Sequence, residues 1–439
     1  MTPTATMRHA GGPFAIDFGR PSAIAPDAQT IADAYTYLLA RALVIRQEQL
    51  DLDGTGTDYN AIVCRSLGTP DARNPNFDVT SIEAWLAVDD CTPVVLEVPE
   101  IGNRYYNIQV FDEWGDVIAN INPRTFPSHP DGTFAFLKHG CRARVPADAA
   151  RIMLRSAKAK IVARVEIGQD RDSIVRLQGQ FALASTGHPS ITPSPPLPMF
   201  DDHDLIGSEI FQAADEVLAT AVDTVRGAAA LQHKVRLVAR YIASGPEARL
   251  DVDELLRERV IPHLLDFAAT RAVVSRDHWR SSRLARGASV ADFQLRTVAN
   301  LASLWADTPD EAVTFQTTLD AHGKPLNGSN TYVLQFAADR LPAALVSGHW
   351  SLTLVTTPGH CVVPNPLGRF LLNTHSPLVY ERDGSLRIIV GPRLPRGVPE
   401  SNWLPAPDWK PFLLTMRAYV PKDAVTSGGW FPPALATVR

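Results

Sequence analysis

Asp112 ends the run Arg104-Tyr105-Tyr106 to Asp112-Glu113-Trp114, whose alternation puts Tyr106, Ile108, Val110 and Asp112 on one side of a strand. A carboxyl on an apolar face has a raised pKa and can act as general acid or base if it meets a cleft. The same Asp could instead pair with Arg124 or cap a turn. Arg124, in the run Asn-Pro-Arg-Thr, offers two parallel N–H groups to an anionic or carboxylate group, or forms a structural ion pair. His349 is a titratable group beside Trp350, with His360 and His375 in loops that could approach it. Asn402-Trp403 and Trp350 supply indoles with a neighbouring amide, the pairing that floors a sugar or flat-ligand site; core tryptophans and a turn asparagine are the alternative.

Other chemistry is poorly supported. The run Asp201-Asp202-His203-Asp204 holds metal-ligand residue types but opens an expected helix, where acidic groups cap free N–H groups. Gly54-Thr55-Gly56 lacks a third glycine and a strand-to-helix context, so no phosphate cradle is expected. No GxSxG elbow, HExxH or Walker sequence occurs. Cys64, Cys91, Cys141 and Cys361 stand apart with no CxxC pair, which fits isolated thiols. No metal or cofactor is expected.

The elements that must position these residues follow from periodicity. Residues 27–48 place Ile31, Tyr35, Leu38, Leu39 and Ala42 at mostly helical spacing. Residues 49–78 lose all period through Gly54, Gly56, Gly68 and Pro70, the mark of a long loop. From about residue 79 to 185 the period is two, in short runs separated by turn clusters: Ile82 to Val88, Pro93 to Val98, Arg104 to Phe111, Val117 to Ile121, Thr133 to Leu137 and Ile152 to Glu166. A Pro/Ser-rich stretch, 186–204, reads as a stiff linker. The segment 205–310 carries apolar residues at helical spacing in three or four runs. Strands return after 311: Tyr332 to Phe336, Trp350 to Val355, Arg369 to Asn373, Leu378 to Glu381, Leu386 to Val390 and Phe412 to Val420, with Asp383-Gly384 as a hairpin signal. In the last run Phe412, Leu414, Met416 and Val420 share a face, between the aromatic-proline turns at Trp403, Trp409 and Trp430.

These runs predict a mainly β protein: two antiparallel β-sandwich, jelly-roll-like lobes with a helical segment between them. The expected divisions are an N-terminal arm (1–26), a helix plus β domain (27–185), the linker (186–204), the helical segment (205–310) and a C-terminal β domain (311–439). The 439 residues, 45% hydrophobic and 20% charged, suit two cores of a globular protein. A net charge of −5 without basic clusters argues against nucleic-acid and anionic-membrane partners. No secretory signal or membrane-spanning stretch is read in the sequence, so a cytoplasmic location is expected. Thirty-five prolines fit many strands joined by fixed turns. Exposed sandwich edges would be covered by assembly into a homo-oligomer.

Two long patterns carry a family resemblance. PVVLEVPEIGNRYYNIQVFDEWGDVIANINPRT at 93–125 resembles the bacterial domain of unknown function 1254. LDAHGKPLNGSNTYVLQF at 319–336, HWSLTLV at 349–355, NWLPAP at 402–407 and RAYVPKDAVTSGGWFPPA at 417–434 are similar to its usual partner, domain of unknown function 1214. The resemblance implies two β lobes with a helical middle, and a C-terminal lobe like the jelly rolls of lectins and glycan-processing proteins. Many relatives carry secretion signals. This chain also departs from the pattern at Asn74-Pro75-Asn76-Phe77-Asp78-Val79-Thr80 and at His349, where a Phe is usual.

Two functions remain in view. One is a cofactor-independent enzyme, a hydrolase, lyase or isomerase, acting on a small polar or cyclic molecule. Asp112 or His349 would move the proton, Arg124 would hold an anionic group, and Tyr105, Tyr106, Trp350, Asn402 and Trp403 would line the pocket. The other is a ligand- or glycan-binding β-sandwich protein without chemistry. The discriminating observation is whether Asp112 and His349 converge in one cavity.

Overall fold

The structure is a computed structural model of the chain and describes residues 25–65, 67, 76–282 and 292–438. Most of the expected N-terminal arm, and Gly68, Pro70, Asn74 and Pro75, lie outside these. The described chain begins with α1 (Ala28–Thr55), capped by the Asp27 carboxylate, which accepts the Thr30 N–H at 2.6 Å, and ended by Gly56 at φ 61°.

The N-terminal lobe follows as β1 (Val63–Cys64), β2 (Val79–Ala87), β3 (Val94–Val98), β4 (Tyr106–Phe111), β5 (Val117–Ile121), β6 (Gly132–Lys138), β7 (Ala150–Leu154), β8 (Lys158–Glu166), α2 (Arg171–Gln178) and β9 (Ala182–Ser185). They form two sheets, ordered β1-β2-β8-β4-β5 and β7-β6-β3-β9. Every pairing is antiparallel except β6 with β7. Alternation explains the sandwich: Ala159, Ile161, Ala163 and Val165 of β8 join Ile108 and Val110 of β4 in its core. The opposite phase of β8 is Lys158, Lys160, Val162, Arg164 and Glu166, a charged face of which Lys158 and Lys160 are almost fully buried.

The middle of the chain contains α3 (Ala214–Thr220), α4 (Ala228–Ile242), α5 (Pro246–Leu255), α6 (Ile261–Thr270), the strands β10 (Val273–Arg276) and β11 (Trp279–Ser282), and α7 (Phe293–Ala302). Residues of α1 such as Tyr35, Leu38 and Leu39 share one core with Val217, Val235, Val252, Leu264 and Val298. The first helix, expected within the N-terminal domain, thus completes the helical layer. Its apolar positions are matched there, while its Arg41, Glu48 and Asp51 reach across to the charged face of the N-terminal sheet. No described helix is long and apolar enough to cross a membrane.

The C-terminal lobe is built from β12 (Ala312–Thr317), β13 (Tyr332–Phe336), β14 (Trp350–Thr356), β15 (Leu371–Asn373), β16 (Leu386–Gly391), β17 (Trp403–Pro405), β18 (Phe412–Tyr419), the short α8 (Asp423–Thr426) and β19 (Ala436–Thr437). The sheets run β10-β11-β12-β18-β14-β15 and β17-β16-β13-β19, with β16 and β17 parallel. Phe412, Leu414 and Met416 point into the core as their alternation predicts, and Ala418 takes the fourth place. Val420 lies past the strand end at φ 50°. The β10–β11 hairpin, expected to be helical territory, pairs with this lobe through Ser281 and Phe315. Leu378 to Glu381 forms no strand; the Asp383-Gly384 turn closes with Glu381 N–H donating to the Ser385 carbonyl at 2.8 Å. The linker has no regular structure, yet Ser194 is tied into the charged face.

That charged face sets a test of stability. Lys158 is 1% exposed, with its Nζ 2.7 Å from Glu48 and 3.5 Å from Glu113. Lys158→Met leaves two buried carboxyls without this cation and is expected to cost about 3–5 kcal/mol, read as a lower urea midpoint at unchanged slope. A loss under about 1 kcal/mol would show that the charged face does not hold the layers together.

Candidate functional site

A polar cluster lies where the two β lobes meet. Register places Ser351 opposite Arg417, and the Tyr419 N–H donates to the His349 carbonyl at 2.8 Å. Trp350, Leu352 and Leu354 face the core together with Met416 and Ala418. The other phase therefore turns His349, Ser351 and Thr353 outward beside Tyr419, Arg417 and Thr415, towards the N-terminal lobe. From that lobe come Asn76 and Asp78 before β2, Tyr105 before β4 and Glu166 at the end of β8.

His349 is the centre of this seam. Its ring stacks on Tyr419 with centroids 4.0 Å apart and meets the edge of Tyr105 at 5.6 Å. Its Nδ1 is 3.8 Å from Glu166 Oε1, and the ring of His375 hydrogen-bonds that same oxygen. Glu166 Oε2 accepts the Tyr105 N–H at 3.0 Å. His349 is 3% exposed, and among the described residues neither ring nitrogen has a hydrogen-bond partner. Burial holds the imidazole below its ordinary pKa against the pull of Asp78 and Glu166. For Glu166 burial pushes upward, but His349, His375 and the Tyr105 N–H outweigh it and the net shift is downward. Burial raises the phenols of Tyr105 and Tyr419.

Arg124 closes one side. It forms an ion pair with Glu311, and its guanidinium sits 5.6 Å over the Tyr105 ring. The Tyr105 hydroxyl and Asn122 Nδ2 also donate to Glu311, at 3.4 and 3.0 Å. Among the described residues no group of three or more His, Cys, Asp or Glu is placed to hold a metal ion.

Of the residues singled out from sequence, Tyr105, Arg124 and His349 come together, with His375 joining them. The others do not. Asp112 and Tyr105 stand at opposite ends of β4, about 20 Å apart along a strand, so Asp112 and His349 form no common acid–base pair. A bulge between Val110 and Phe111 ends the alternation, and Asp112 accepts the N–H groups of Trp114 at 2.9 Å and Asp116 at 3.0 Å. Arg155 lies 3.2 Å from it. It is a turn cap whose carboxyl burial and Asp116 raise to about 7. Tyr106 packs in the N-terminal core and donates its hydroxyl to the Pro130 carbonyl at 2.5 Å. Trp350 fills the C-terminal core, and Trp403 donates its indole N–H to the Gly391 carbonyl at 2.9 Å. Asn402 donates to the carbonyls of Val379 and Arg387 at 2.7 and 2.8 Å. None of these three forms an open floor, because each aromatic or amide group is spent on the fold.

Glu166, Ser351, Arg417 and Tyr419 carry no motif in the sequence, and Asp78 appears there only within the 74–80 departure from the family pattern. A signal was present: in the runs from His349 and from Thr415 one phase is wholly apolar and the other carries His, Ser, Thr, Arg and Tyr. A solvated sheet face gives the same pattern, so the sequence does not say that this face is covered.

The lowered pKa of His349 has a measurable consequence. A depressed imidazole contributes stability above its unfolded value of about 6.5 that is lost as pH falls towards the folded value. Asp78, Glu166 and His375 face the same ring, so the difference between proteins is the useful quantity. Below about pH 6.5 the wild type is expected to lose stability more steeply than His349→Phe, measured as unfolding free energy between neutral and mildly acidic pH. Parallel curves would refute the assignment.

Comparison with known proteins agrees with this two-lobed arrangement. Residues 60–185 match the family model of DUF1254 and residues 311–423 that of DUF1214, each described as a protein of unknown function. The VPA0106 protein of Vibrio parahaemolyticus has a similar fold, with a TM-score of 0.71 at 21% identity, covering 94% of this chain and 100% of that one. An uncharacterised protein from Burkholderia cenocepacia matches at a TM-score of 0.44 and 13% identity over 94% of this chain and 93% of its own. No curated protein matches. Asp78, Tyr105 and Glu166 fall in the first matched domain and His349, Arg417 and Tyr419 in the second, and the chain belongs to the family in which a DUF1254 domain is followed by a DUF1214 domain.

Proposed function

We propose that the chain is a cofactor-independent acid–base enzyme acting on a small polar molecule at the seam between its β lobes. The observation that carries this reading is His349: an imidazole held neutral by burial, both nitrogens free of hydrogen bonds among the described residues, with a carboxylate 3.8 Å away. A neutral imidazole can take a proton from a bound molecule, and the carboxylate of Glu166 then stabilises the imidazolium until the proton is returned. Tyr105 and Tyr419 fix the plane of the ring, and His375 with the Tyr105 N–H orients Glu166. Arg124, partly exposed beside Tyr105, is suited to meet substrate at the rim. Asp112 and His349 do not converge, which counts against the acid–base pair expected from sequence; the proposal rests instead on His349 with Glu166.

Non-catalytic binding of a ligand or glycan is the competing reading. An aromatic floor at Trp350 and Trp403 does not support it, since one indole is in the core and the other is bonded to backbone.

The test is a search for turnover. Mixtures of sugars, organic acids and cyclic metabolites are incubated with the protein and followed by mass spectrometry. For any compound consumed, His349→Gln is expected to lower the rate by about 10²–10⁴-fold, while Asp112→Asn leaves it unchanged. Because the base form is the neutral imidazole, the rate should hold on its plateau down to pH values below the ordinary histidine range of about 6.5 and fall only beneath that. A compound that binds without turnover, or turnover indifferent to His349→Gln, would sink the acid–base reading.

A further inference from the structure

The outward face of β14 and β18 continues beyond His349 with a second group of buried polar atoms. Asp78 comes onto this face from the N-terminal lobe; its Oδ2 accepts from the Ser351 hydroxyl and lies 3.8 Å from Arg417 Nη1. Thr353 follows one step along, opposite Thr415. Among the described residues Asp78 Oδ1, Arg417 Nη1, Thr353 Oγ1 and both nitrogens of His349 have no hydrogen-bond partner, and none of these atoms touches solvent. Asp78 is 2% exposed. Buried polar atoms without partners are rare because each loses its hydration for nothing. Here donors and an acceptor are left open along one face, contributed by both lobes.

Their chemistry defines what would satisfy them. A lone carboxylate in this position would be repelled by Asp78 and a lone ammonium group by Arg417, so the complement carries no net charge. It must present an acceptor to the Arg417 N–H and a donor to Asp78 Oδ1, with the Thr353 hydroxyl able to serve either. We propose that Asp78, Arg417 and Thr353 form the recognition subsite for an uncharged molecule that carries a hydrogen-bond donor beside a carbonyl, the edge shared by cyclic amides and α-hydroxyketones. The proposal rests on the seam being the functional site and names the substrate class for it. Arg417 donates to the carbonyl, Asp78 accepts from the neighbouring N–H or O–H, and the ligand atoms next to that edge face His349.

The experiment compares probes that differ only in the donor. Binding of succinimide, N-methylsuccinimide, hydroxyacetone and methoxyacetone to the intact wild-type chain is measured by ligand-observed NMR. The donor-bearing member of at least one pair is expected to bind, with its blocked partner weaker by about tenfold or more, since the blocked form leaves Asp78 Oδ1 unpaired. Which pair discriminates tells a cyclic amide from a hydroxyketone. In Asp78→Ala the discrimination should disappear; the wild-type comparison stands without that variant if it fails to fold. Equal binding within both pairs, or no binding by any probe, overturns the subsite and leaves ordered water as the partner of these atoms. Probe discrimination together with turnover indifferent to His349→Gln would keep the subsite and remove the acid–base reading. Turnover lost in His349→Gln with no probe bound would do the reverse.

Discussion

Everything in this structure depends on covering the charged face of β8. Lys158, Lys160, Arg164 and Glu166 occupy alternate positions of a strand whose other phase is core, and a sandwich sheet would normally show such a face to water. Here it is covered, so each charge must find a partner or destabilise the fold. Glu48 and Asp51 of α1 meet Lys158 and Lys160, at 2.7 and 2.8 Å. Asp307, in the approach to β12, meets Arg164 at 3.1 Å, and His375 meets Glu166. One strand thereby ties the helical layer at one end and the C-terminal lobe at the other. The geometry of the seam follows from where along β8 the C-terminal lobe must sit to satisfy Glu166.

This constraint also explains the electrostatics around His349. Glu166 is fixed by the Tyr105 N–H and by His375, so its charge is delivered at one point. The imidazole beside it is enclosed by Tyr105 and Tyr419, whose rings exclude water but offer its nitrogens no hydrogen bond. An apolar seam would join the lobes with less desolvation. A polar one, with unpaired atoms, is the kind of local inconsistency expected where a site and not the fold sets the residue choice.

The fold was legible in the sequence to the extent that it depends on alternation. The phase of β4 and β18, the turn-bounded strands and the helical middle are read from periods of two and 3.6. What was not legible is which face is covered by another part of the chain. Helix α1 belongs to the helical layer because of partners more than 170 residues away, such as the Ile206 carbonyl that accepts the Tyr35 hydroxyl. Asp112 illustrates the same limit at the site. Period two carries Tyr106, Ile108 and Val110 into the core, but a bulge and the turn to Asp116 remove Asp112 from that row. Trp350 faces the core and His349 faces the seam for one reason: neighbours on a strand point to opposite faces.

Unpaired buried atoms are not confined to the seam, and the comparison sharpens its reading. Within the helical layer Arg41 Nε and Nη1, Glu113 Oε2 and Trp114 Nε1 also lack partners among the described residues. Arg41 and Glu113 are paired to each other at 2.9 Å with both side chains wholly enclosed. Arg41 also donates to the half-buried Ser194 and Thr220, and a guanidinium has more donors than these partners accept; the unpaired Glu113 Oε2 and Trp114 Nε1 have no such account. At the seam the unpaired atoms belong to several side chains from both lobes, and the surrounding shell is open: the side chain of His375 is 40% exposed, that of Arg124 35% and that of Arg417 18%. The seam's unpaired atoms are bordered by partly exposed side chains, whereas the Arg41–Glu113 pair is wholly enclosed. Access, more than the number of unsatisfied atoms, separates a candidate site from a structural ion pair.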